Sequence, residues 1–499
     1  MKQKYELLIS NEAALDTVRK KFGSEPKRTY PHNDGALRHF YDVTISGISD
    51  IWVTARDLMA IDGVIEVDPI LKLLGIIDEW RDNDDINLDT FWHHTMTGFP
   101  EAVQLAKKKG KLSANPGNRI QVAHLDTGYT LHPEILGIQS ARGRNFIRGE
   151  DAGSALDRLG RDFLEQPGHG TSTASVIIGE REDEKDRSAG VYPYVDLIPY
   201  RISESVVHIF DSPMPEAIQH AVDSGCSVIT MSMGGAPGLC SWEKAIDNAY
   251  SKGVIFVAAA GNLVNFVVWP ARYPKVIAVA AVNTHGLEWE GSCSGPKVDI
   301  SAPGENVYVA SVEQAKETRE QVYLHRHGSG TSFATPHVAA AAALYLEYYR
   351  EELNADDFRE DPPNIVEAFR YALKKGAFVP NKWDVHKFGA GILNVPGLLR
   401  IPPQEYIDSK SRIQEKSIES AQRDTQKNLQ PSLEEKKEIF EVFNSFIDDG
   451  EARSSSSSYD EKSFRVSSTE KGAPLMPKIN PAAARAGAQR LEKLSNGRW

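Results

Sequence analysis

Short, continuous runs of apolar residues recur along the central part of the chain. Five of them have the length and the valine, isoleucine and alanine content of buried strands: RIQVAHLD (119–126), VDLIPYRI (195–202), SVITMS (227–232), VIFVAAA (254–260) and VIAVAAV (276–282). Intervening stretches such as PEAIQHAVDSG (215–225) and WEKAIDNAYSKG (242–253) have helical spacing and end in a glycine. Near-continuous apolar strands separated by helices predict a doubly wound, mainly parallel α/β sheet with helices on both faces, over residues 92–402.

The first 77 residues carry a different pattern. Strand and helix signals follow one another in the order KYELLIS (4–10), EAALDTVRKKFG (12–23), RHFYDVTIS (38–46), a helix near Ile51–Met59, and GVIEVD (63–68). This order predicts a small α+β domain over residues 1–77. The acidic run DEWRDNDDINLD comes next and predicts an exposed linker over residues 78–91.

After Pro403 the chain becomes polar, with five serines at 454–458 and an alanine-rich end. These features predict a largely disordered tail over residues 403–499. One segment, LEEKKEIFEVFNSFI at 433–447, has the spacing of an amphipathic helix. A solvated tail is the simpler interpretation of this segment, and a docking helix is the alternative.

Composition and charge narrow the classes of function. The 499 residues include 41% hydrophobic ones, which is enough for a large core, and the net charge of −12 argues against a nucleic-acid partner. Three cysteines are too few for a disulfide framework, which favours a reducing compartment. The start MKQKYELLIS lacks the apolar core of a signal peptide, and no apolar run is long enough to cross a membrane. We therefore expect a cytoplasmic protein without a membrane partner.

The segment HGSGTSFATPHVAAAAALYL (327–346) predicts a long helix with an unusual first turn. Ser332 lies in that turn, where backbone N–H groups and the helix dipole favour negative charge. Pro336 lacks the N–H group that would bond the carbonyl of Ser332, a loss that is tolerable near the start of a helix. Gly328 and Gly330 permit tight turns and the close approach of another molecule. Ser332 is therefore a candidate nucleophile beside an anion site, and a helix-capping serine is the alternative.

Three other polar residues are candidates to act with this serine. His169 lies between two glycines in GHGTSTASVIIG (168–179), just before a helix of small residues, and is a candidate base. Asp126 ends an apolar strand, where doubly wound sheets form their sites, and is a candidate carboxylate to orient the base. Asn262 also follows a strand, and its amide could donate to a developing oxyanion; taken alone, it is typical of a turn.

In the order Asp, His, Asn, Ser, these motifs resemble the subtilisin-like serine proteases, the subtilases. The matching stretches are LDTG (125–128), GHGT (168–171), SMGG (232–235), AAGN (259–262), APG (302–304), GTSFATPHVA (330–339) and FGAGILN (388–394). The resemblance covers roughly residues 90–400 and implies the subtilisin fold and a serine endopeptidase that acts on proteins or peptides.

The resemblance implies a role for each residue of the site. Ser332 attacks the scissile carbonyl, His169 takes its proton and later delivers it, and Asp126 orients the imidazole. Asn262 and the backbone N–H of Ser332 hold the tetrahedral oxyanion. The residues implied to bind substrate are Ser232, Met233, Gly234, Gly235, Ala259, Ala260, Gly261 and Val268. Because Val268 stands where the family often has a glycine, we expect a shortened pocket for small or medium apolar side chains.

The resemblance also bears on ions and on the N-terminal domain. No cofactor is expected to be required; family members often bind structural calcium, and Glu134 falls where a ligand is common. The loop EREDEKDR (180–187) departs from the usual ligand pattern. IDGVIEVDP (61–69) resembles a subtilase propeptide, which implies a self-inhibited precursor, or zymogen, cut at about residues 72–92. A permanently attached regulatory module is the alternative.

Three other functions fit parts of the sequence. DTG also marks aspartic proteases and DSG occurs at 223–225, but that class is all-β and this DSG closes a helix. A transpeptidase or macrocyclase would use the same acyl-enzyme, and would differ only in whether an amine or water resolves it. A non-catalytic binding protein could keep the fold, although all four catalytic positions are filled.

Overall fold

A computed structural model of the chain describes residues 2–70 except 32 and 34, residues 89–315 with gaps, residues 320–417 and residues 432–441. The gaps within 89–315 are residues 114, 160–165, 181–189, 209–212, 236–237 and 263–265. Most of the linker predicted at 78–91 lies outside the described residues, as does most of the segment predicted to be processed.

The N-terminal domain is a four-stranded antiparallel sheet with two helices. Its strands are β1 (Lys2–Ile9), β2 (Lys27–Arg28), β3 (Phe40–Ser46) and β4 (Val64–Ile70), in the order β2-β3-β1-β4. Helix α1 (Ala13–Phe22) ends at Gly23, whose φ of +63° suits a residue without a side chain. Helix α2 (Ile51–Met59) begins at Asp50, whose carboxylate accepts hydrogen bonds from two amides of the first turn.

The two faces of this sheet have different partners because side chains alternate along each strand. On β1, Tyr5, Leu7 and Ile9 pack under α1 and α2 in one apolar core. The next residues along the strand, Glu6 and Leu8, are directed to the opposite face, where Leu8 packs near Cys240 of the second domain. The N-terminal domain is therefore seated on the second domain through its open sheet face.

The second domain is organised around a seven-stranded sheet in which every pairing is parallel. Its described strands are β5 (Gln121–Asp126), β6 (Arg144–Asn145), β7 (Asp196–Arg201), β8 (Val207–His208), β9 (Val228–Met231), β10 (Gly234–Gly235), β11 (Ile255–Ala259), β12 (Ile277–Val282), β13 (Ile300–Pro303), β14 (Val307–Gln314) and β15 (Gln321–Gly328). The main sheet has the order β13-β12-β11-β9-β5-β7-β6. Strands β8 and β10 form a short parallel pair, and β14 and β15 form an antiparallel hairpin. Strand order reverses at β5, which is where such sheets bind their ligands.

Helices cover both faces of the main sheet. The remaining helices are α3 (Trp92–Thr97), α4 (Phe99–Lys108), α5 (His169–Ile178), α6 (Met214–Asp223), α7 (Cys240–Ser251), α8 (Thr331–Tyr348), α9 (Asp356–Arg359), α10 (Pro363–Lys375), α11 (Val385–Phe388), α12 (Val395–Leu398), α13 (Pro403–Ser417) and α14 (433–441). Helices α6 and α7 pack on one face, and α4, α5, α8 and α10 pack on the other. Each predicted apolar run contains one strand of the parallel sheet, so the predicted fold class is confirmed.

The tail departs from the prediction at its start. Residues 403–417 form α13, and Tyr406 and Ile407 pack against the core on the α8 side of the sheet. Residues 433–441 form α14, which packs on both domains rather than lying in solvent. The remainder of the helix predicted to 447 lies outside the described residues. No helix of the described residues is both long and apolar enough to cross a membrane.

A buried pair of histidines joins α3 to the middle of α8. His337 Nδ1 donates to the backbone carbonyl of Phe333 at 2.8 Å, so its Nε2 carries the lone pair. His93 Nδ1 lies 2.8 Å from that Nε2 and must be the donor. Burial lowers the pKa of His337 to about 3 and holds the pKa of His93 well below its ordinary value. Both rings are therefore neutral in the folded protein.

The histidine pair predicts a loss of stability in mild acid. The unfolded chain binds these protons below about pH 6.5 whereas the folded protein does not, so the free energy of unfolding should fall as the pH drops. Each histidine contributes a slope of about 1.4 kcal/mol per pH unit. We expect His93→Gln to show a shallower slope between pH 7 and pH 4.5 in urea unfolding, measured in a Ser332→Ala background. Replacing the exposed His386 by Gln is the control, and equal slopes in all three proteins would contradict this assignment.

Candidate active site

Asp126 and His169 meet at the carboxyl edge of the main sheet. Asp126 is the last residue of β5, and His169 is the first residue of α5, which follows Gly168 with a φ of +79°. His169 Nδ1 lies 2.7 Å from Asp126 Oδ1, and both side chains are fully buried. Because an ionised carboxylate only accepts, Nδ1 carries the proton and Nε2 is left as the basic nitrogen.

The surroundings of Asp126 keep its carboxyl group ionised. Burial by itself would raise the pKa of Asp126, but the charge and hydrogen bond of His169, with a hydrogen bond from the Thr127 amide, lower that pKa below its ordinary value. The Thr127 N–H donates to Asp126 Oδ1 at 2.7 Å, and the Thr173 hydroxyl donates to Oδ2 at 3.1 Å. The carboxylate is therefore held by donors on both of its oxygens.

Thr127, the residue after the aspartate, ties the strand end to the helix start. Its hydroxyl donates to Asp157 Oδ2 at 2.9 Å and accepts from the Gly170 N–H at 3.0 Å. Asp157 Oδ2 also accepts from the Gly168 N–H at 2.8 Å, and burial raises the pKa of Asp157. Arg201 donates to the Thr127 carbonyl at 2.5 Å. Asp157 and Arg201 were not identified from the sequence, since neither lies in a recognisable motif.

Ser332 lies in the first turn of α8, where the sequence placed it. Its carbonyl has no amide partner one turn ahead because that residue is Pro336, and the Ser232 hydroxyl donates to it instead at 2.8 Å. In return, the Ser332 hydroxyl donates to the Ser232 carbonyl at 3.0 Å. The ring of Phe333 is 6.3 Å from the ring of His169. The helix start that carries Ser332 is therefore beside the imidazole.

Asn262 is fixed against the same helix start. Its Oδ1 accepts from the Thr331 N–H and from the Thr331 hydroxyl, both at 2.9 Å. These two donors require the oxygen of the Asn262 side-chain amide on the Thr331 side. The amide nitrogen, Nδ2, is therefore on the opposite side of the amide group. The Thr331 hydroxyl also accepts from the Gly261 N–H at 3.1 Å. Thr331 was not singled out in the sequence, although it organises the asparagine.

The residues predicted to line the cleft are near one another. Gly234 and Gly235 form β10, which pairs with β8, and Gly235 also pairs with Trp269. A Cβ on Gly234 or on Gly261 would lie within 2.9 Å of a methyl group of Val268. Val268 thus packs against two glycines of the predicted pocket, while Met233 and Ala260 are buried in the adjoining core and Ala259 ends β11. The hydroxyl and the carbonyl of Ser232 are both hydrogen-bonded to Ser332.

Glu134, the residue considered as a calcium ligand, is buried and hydrogen-bonded to a histidine. Its Oε1 lies 2.6 Å from Nε2 of His325, which is on β15. Within the described part of the chain, no group of three or more His, Cys, Asp or Glu residues is suited to hold a metal ion.

Comparison with known proteins adds to this geometry. Residues 117–391 match the profile of the subtilase family of peptidases. The chain is 34% identical over 242 residues to a thermostable alkaline protease of Halalkalibacterium halodurans, a match that covers 48% of this chain and 60% of the relative. It is 29% identical over 302 residues to subtilisin DY of Bacillus licheniformis, covering 59% of this chain and 97% of the relative.

Among solved structures, the chain is similar to fervidolysin of Fervidobacterium pennivorans, a keratinolytic enzyme related to subtilisin. The TM-score is 0.59 and the identity 21%, with 81% of this chain and 61% of that chain covered. At this identity the likeness shows a shared fold. The chain accounts for less than two thirds of the length of both the alkaline protease and fervidolysin.

Proposed function

The chain belongs to the subtilase family, and we propose that it is a serine endopeptidase that cleaves peptide bonds through an acyl-enzyme. The observation that carries this proposal is the 2.7 Å hydrogen bond between Asp126 and His169, beside the helix start that bears Ser332. An oriented imidazole with a basic Nε2 is what a serine nucleophile requires.

The proposed reaction begins when Ser332 Oγ attacks the scissile carbonyl and His169 Nε2 accepts its proton. The imidazolium formed is stabilised by Asp126, which stays ionised, and His169 then protonates the leaving amine. The Asn262 amide nitrogen and the backbone N–H of Ser332 donate to the oxyanion of each tetrahedral intermediate. In subtilisin itself, losing the asparagine donor costs about 10²–10³-fold in kcat. Water, activated by the same imidazole, releases the acyl group.

The proposed substrate-binding surface consists of Ser232, Met233, Gly234, Gly235, Ala259, Ala260, Gly261 and Val268. An extended peptide could add to β10 as a strand only by displacing β8, because the Gly234 N–H donates to the Val206 carbonyl and Gly235 is paired with Trp269 on the other side. Because the Val268 methyl groups pack against Gly234 and Gly261, they shorten the space for the side chain that precedes the scissile bond. We therefore propose a preference for small or medium apolar residues at that position.

The N-terminal domain is proposed to act as a propeptide that inhibits the enzyme until it is cut. Its open sheet face lies on α7, where Asp68 Oδ2 accepts from the Cys240 N–H at 2.9 Å. Strand β4 ends at Ile70, so the chain leaves the interface directly before the segment in which we propose the cut. The proposed zymogen would therefore carry its inhibitor in place.

We propose no required cofactor and no nucleic-acid or membrane partner. The Glu134 carboxylate, at the position considered for calcium, is engaged by His325. The three cysteines, Cys226, Cys240 and Cys293, are buried and form no disulfide, which suits the proposed cytoplasmic location.

Replacement of Ser332 by alanine should abolish both peptide hydrolysis and self-cleavage, because no other group supplies the nucleophile. The measurement is the intact mass of the purified wild-type chain beside Ser332→Ala, with hydrolysis of a peptide library. We expect the wild type to be cut at about residues 72–92 and the variant to stay whole. Equal turnover by the two proteins would refute the proposed function.

Enlarging the pocket should change which peptides are cleaved. Val268→Gly opens the space next to Gly234 and Gly261. The ratio of kcat/KM for peptides with Phe or Tyr before the scissile bond to kcat/KM for peptides with Ala there should rise about 10-fold or more. Val267→Ala, which removes volume from the adjacent buried residue, is the matched control. A wild type that already prefers Phe or Tyr would contradict the shortened pocket.

A further inference from the structure

A second histidine lies directly behind the proposed catalytic aspartate. His124 is two residues before Asp126 on β5, so the two side chains are on the same face of the strand. Thr173 is four residues after His169 on α5, one turn further along the same side of the helix. The strand and the helix therefore bring the four residues together as two adjacent pairs.

The contacts between these pairs converge on one oxygen of the aspartate. His124 Nε2 lies 2.9 Å from Thr173 Oγ1, which lies 3.1 Å from Asp126 Oδ2. His124 Nε2 is also 3.7 Å from the same Oδ2. His124 is 2% exposed and Thr173 is fully buried, so water does not compete for these bonds.

The protons in this chain of contacts can be assigned. The Thr173 hydroxyl lies 3.1 Å from Asp126 Oδ2 and 3.2 Å from the His169 carbonyl, and the ionised carboxylate, which can only accept, is the stronger acceptor for its single proton. The hydroxyl has a single proton, so His124 Nε2 must carry a proton and donate to Thr173 Oγ1. Burial lowers the pKa of His124, which leaves the ring neutral with an unprotonated Nδ1. Within the described residues that Nδ1 has no hydrogen-bond partner, so it is a buried acceptor without a donor.

We infer that His124 and Thr173 are positioning residues that hold the second oxygen of Asp126 and limit the negative charge it presents to His169. A role of His124 and Thr173 in catalysis rests on the proposed function, whereas their contacts with Asp126 do not depend on it. His169 binds Oδ1, and His124 acts on Oδ2 through Thr173. The titratable groups of the described chain that face Asp126 are His169 from α5 and His124 from β5.

The test is Thr173→Val, which keeps the shape of the side chain and removes its hydroxyl. With fewer donors on Asp126, its charge stabilises the His169 imidazolium more strongly. The acid limb of kcat/KM should then move to higher pH by about half a unit or more. The same shift should be seen by NMR titration of the His169 ring in a Ser332→Ala background, which needs no activity.

Two further variants separate positioning from general damage to the helix. Thr173→Ser restores the hydroxyl and should restore the wild-type pH profile. Ser175→Ala removes another buried hydroxyl of α5, one that accepts from the Ala310 N–H at 3.0 Å, and should leave the pKa of His169 unchanged. An unshifted His169 pKa in Thr173→Val would overturn the inference. A wild type without Ser332-dependent hydrolysis would instead refute the proposed function. The NMR titration of His169 would still test whether His124 and Thr173 position Asp126.

A separate observation concerns the tail helix α14, which binds both domains at once. Its first turn is fixed by Ser432 and Glu435: the Ser432 hydroxyl accepts from the Glu435 N–H at 3.3 Å, and Glu435 Oε2 accepts from the Ser432 N–H at 2.8 Å. Leu433 packs against the core of the N-terminal domain, and Ile439 is buried in the core on the α6 and α7 side of the main sheet. The ring of Phe440 is 6.4 Å from that of Trp52 on α2.

Helix α14 also makes an ion pair through a buried lysine. Lys436 is 1% exposed, and its Nζ lies 2.9 Å from Glu66 Oε1 and 2.5 Å from Asp68 Oδ1, both on β4. Burial alone would lower the pKa of Lys436, but these two carboxylates raise it above its ordinary value. The other oxygen of Asp68 accepts from the Cys240 N–H at the start of α7. One carboxylate thus joins the tail, the N-terminal domain and the second domain.

We propose that α14 is a strap that keeps the N-terminal domain seated on the catalytic domain. In combination with the proposed inhibitory role of that domain, cutting the segment after β4 would leave the inhibitor held by the tail. Release would then require the strap to detach as well. The occupant of this surface is a segment of the same chain, so binding is intramolecular and independent of protein concentration.

The strap is tested with Lys436→Met in the full-length Ser332→Ala chain. Loss of the ammonium leaves the buried Asp68 and the partly buried Glu66 without their cation, so amide hydrogen exchange at residues 64–70 should become about 10-fold faster or more. Lys437→Met, at the next position of the same helix, is the matched control and should not change it. A chain ending at residue 431 should show the same acceleration. Unchanged exchange in both altered chains would overturn the strap whether or not the protein is a protease.

Discussion

The structure depends on keeping one carboxylate ionised where water cannot reach it. Asp126 is fully buried, and an isolated charge in such a place would take up a proton. Donors on both oxygens prevent this: His169 and the Thr127 amide on Oδ1, and Thr173 on Oδ2. Those donors come from the end of β5 and the start of α5, so hydrogen bonding to this carboxylate fixes the relative position of these two elements. Thr127, Asp157 and Arg201 hold that position through hydrogen bonds to backbone as well as side chains.

The site uses the ends of regular elements because backbone groups there lack partners within their own element. Asp126 ends a strand and Asn262 comes shortly after one, whereas His169 begins a helix and Ser332 lies in the first turn of another. Pro336 extends this logic into the helix. Because Pro336 has no N–H group, the Ser332 carbonyl has no partner within the helix and accepts a hydrogen bond from the Ser232 hydroxyl. This bond joins the start of α8 to the end of β9. A local sequence feature that looks like a defect therefore becomes a contact between two segments of the site.

The sequence was informative where function requires a local pattern and silent where function arises from distant contacts. Apolar runs predicted the parallel sheet, since burial on both faces leaves no other composition for those strands. Asp126, His169 and Ser332 were identified because glycines and strand ends surround them. Asp157, Arg201, Thr331 and His124 were not, because each is an ordinary polar residue until the fold supplies its partner. Lys436 is the extreme case: it is 370 residues from Glu66 in the sequence, and a lysine in a polar tail predicts a solvated side chain.

The buried carboxylate of Asp126 and the carboxylates of β4 are stabilised by different kinds of partner. The difference determines whether each arrangement can be lost while its domain stays folded. Asp126 is held by groups of its own domain, most of them neutral donors fixed by regular secondary structure, so its environment is permanent for as long as the domain is folded. Glu66 and Asp68 depend on a cation from a short helix that the chain reaches only after residues 418–431. Removing one partner of a buried ion pair destabilises the structure by several kcal/mol, because the remaining charge is left without its counter-ion. We therefore expect the interface between the domains to be stable while the tail is docked and to weaken once the tail leaves. A constraint of this kind suits a contact that must hold at first and later be lost, and it is unsuited to a contact that must remain in place during every catalytic cycle.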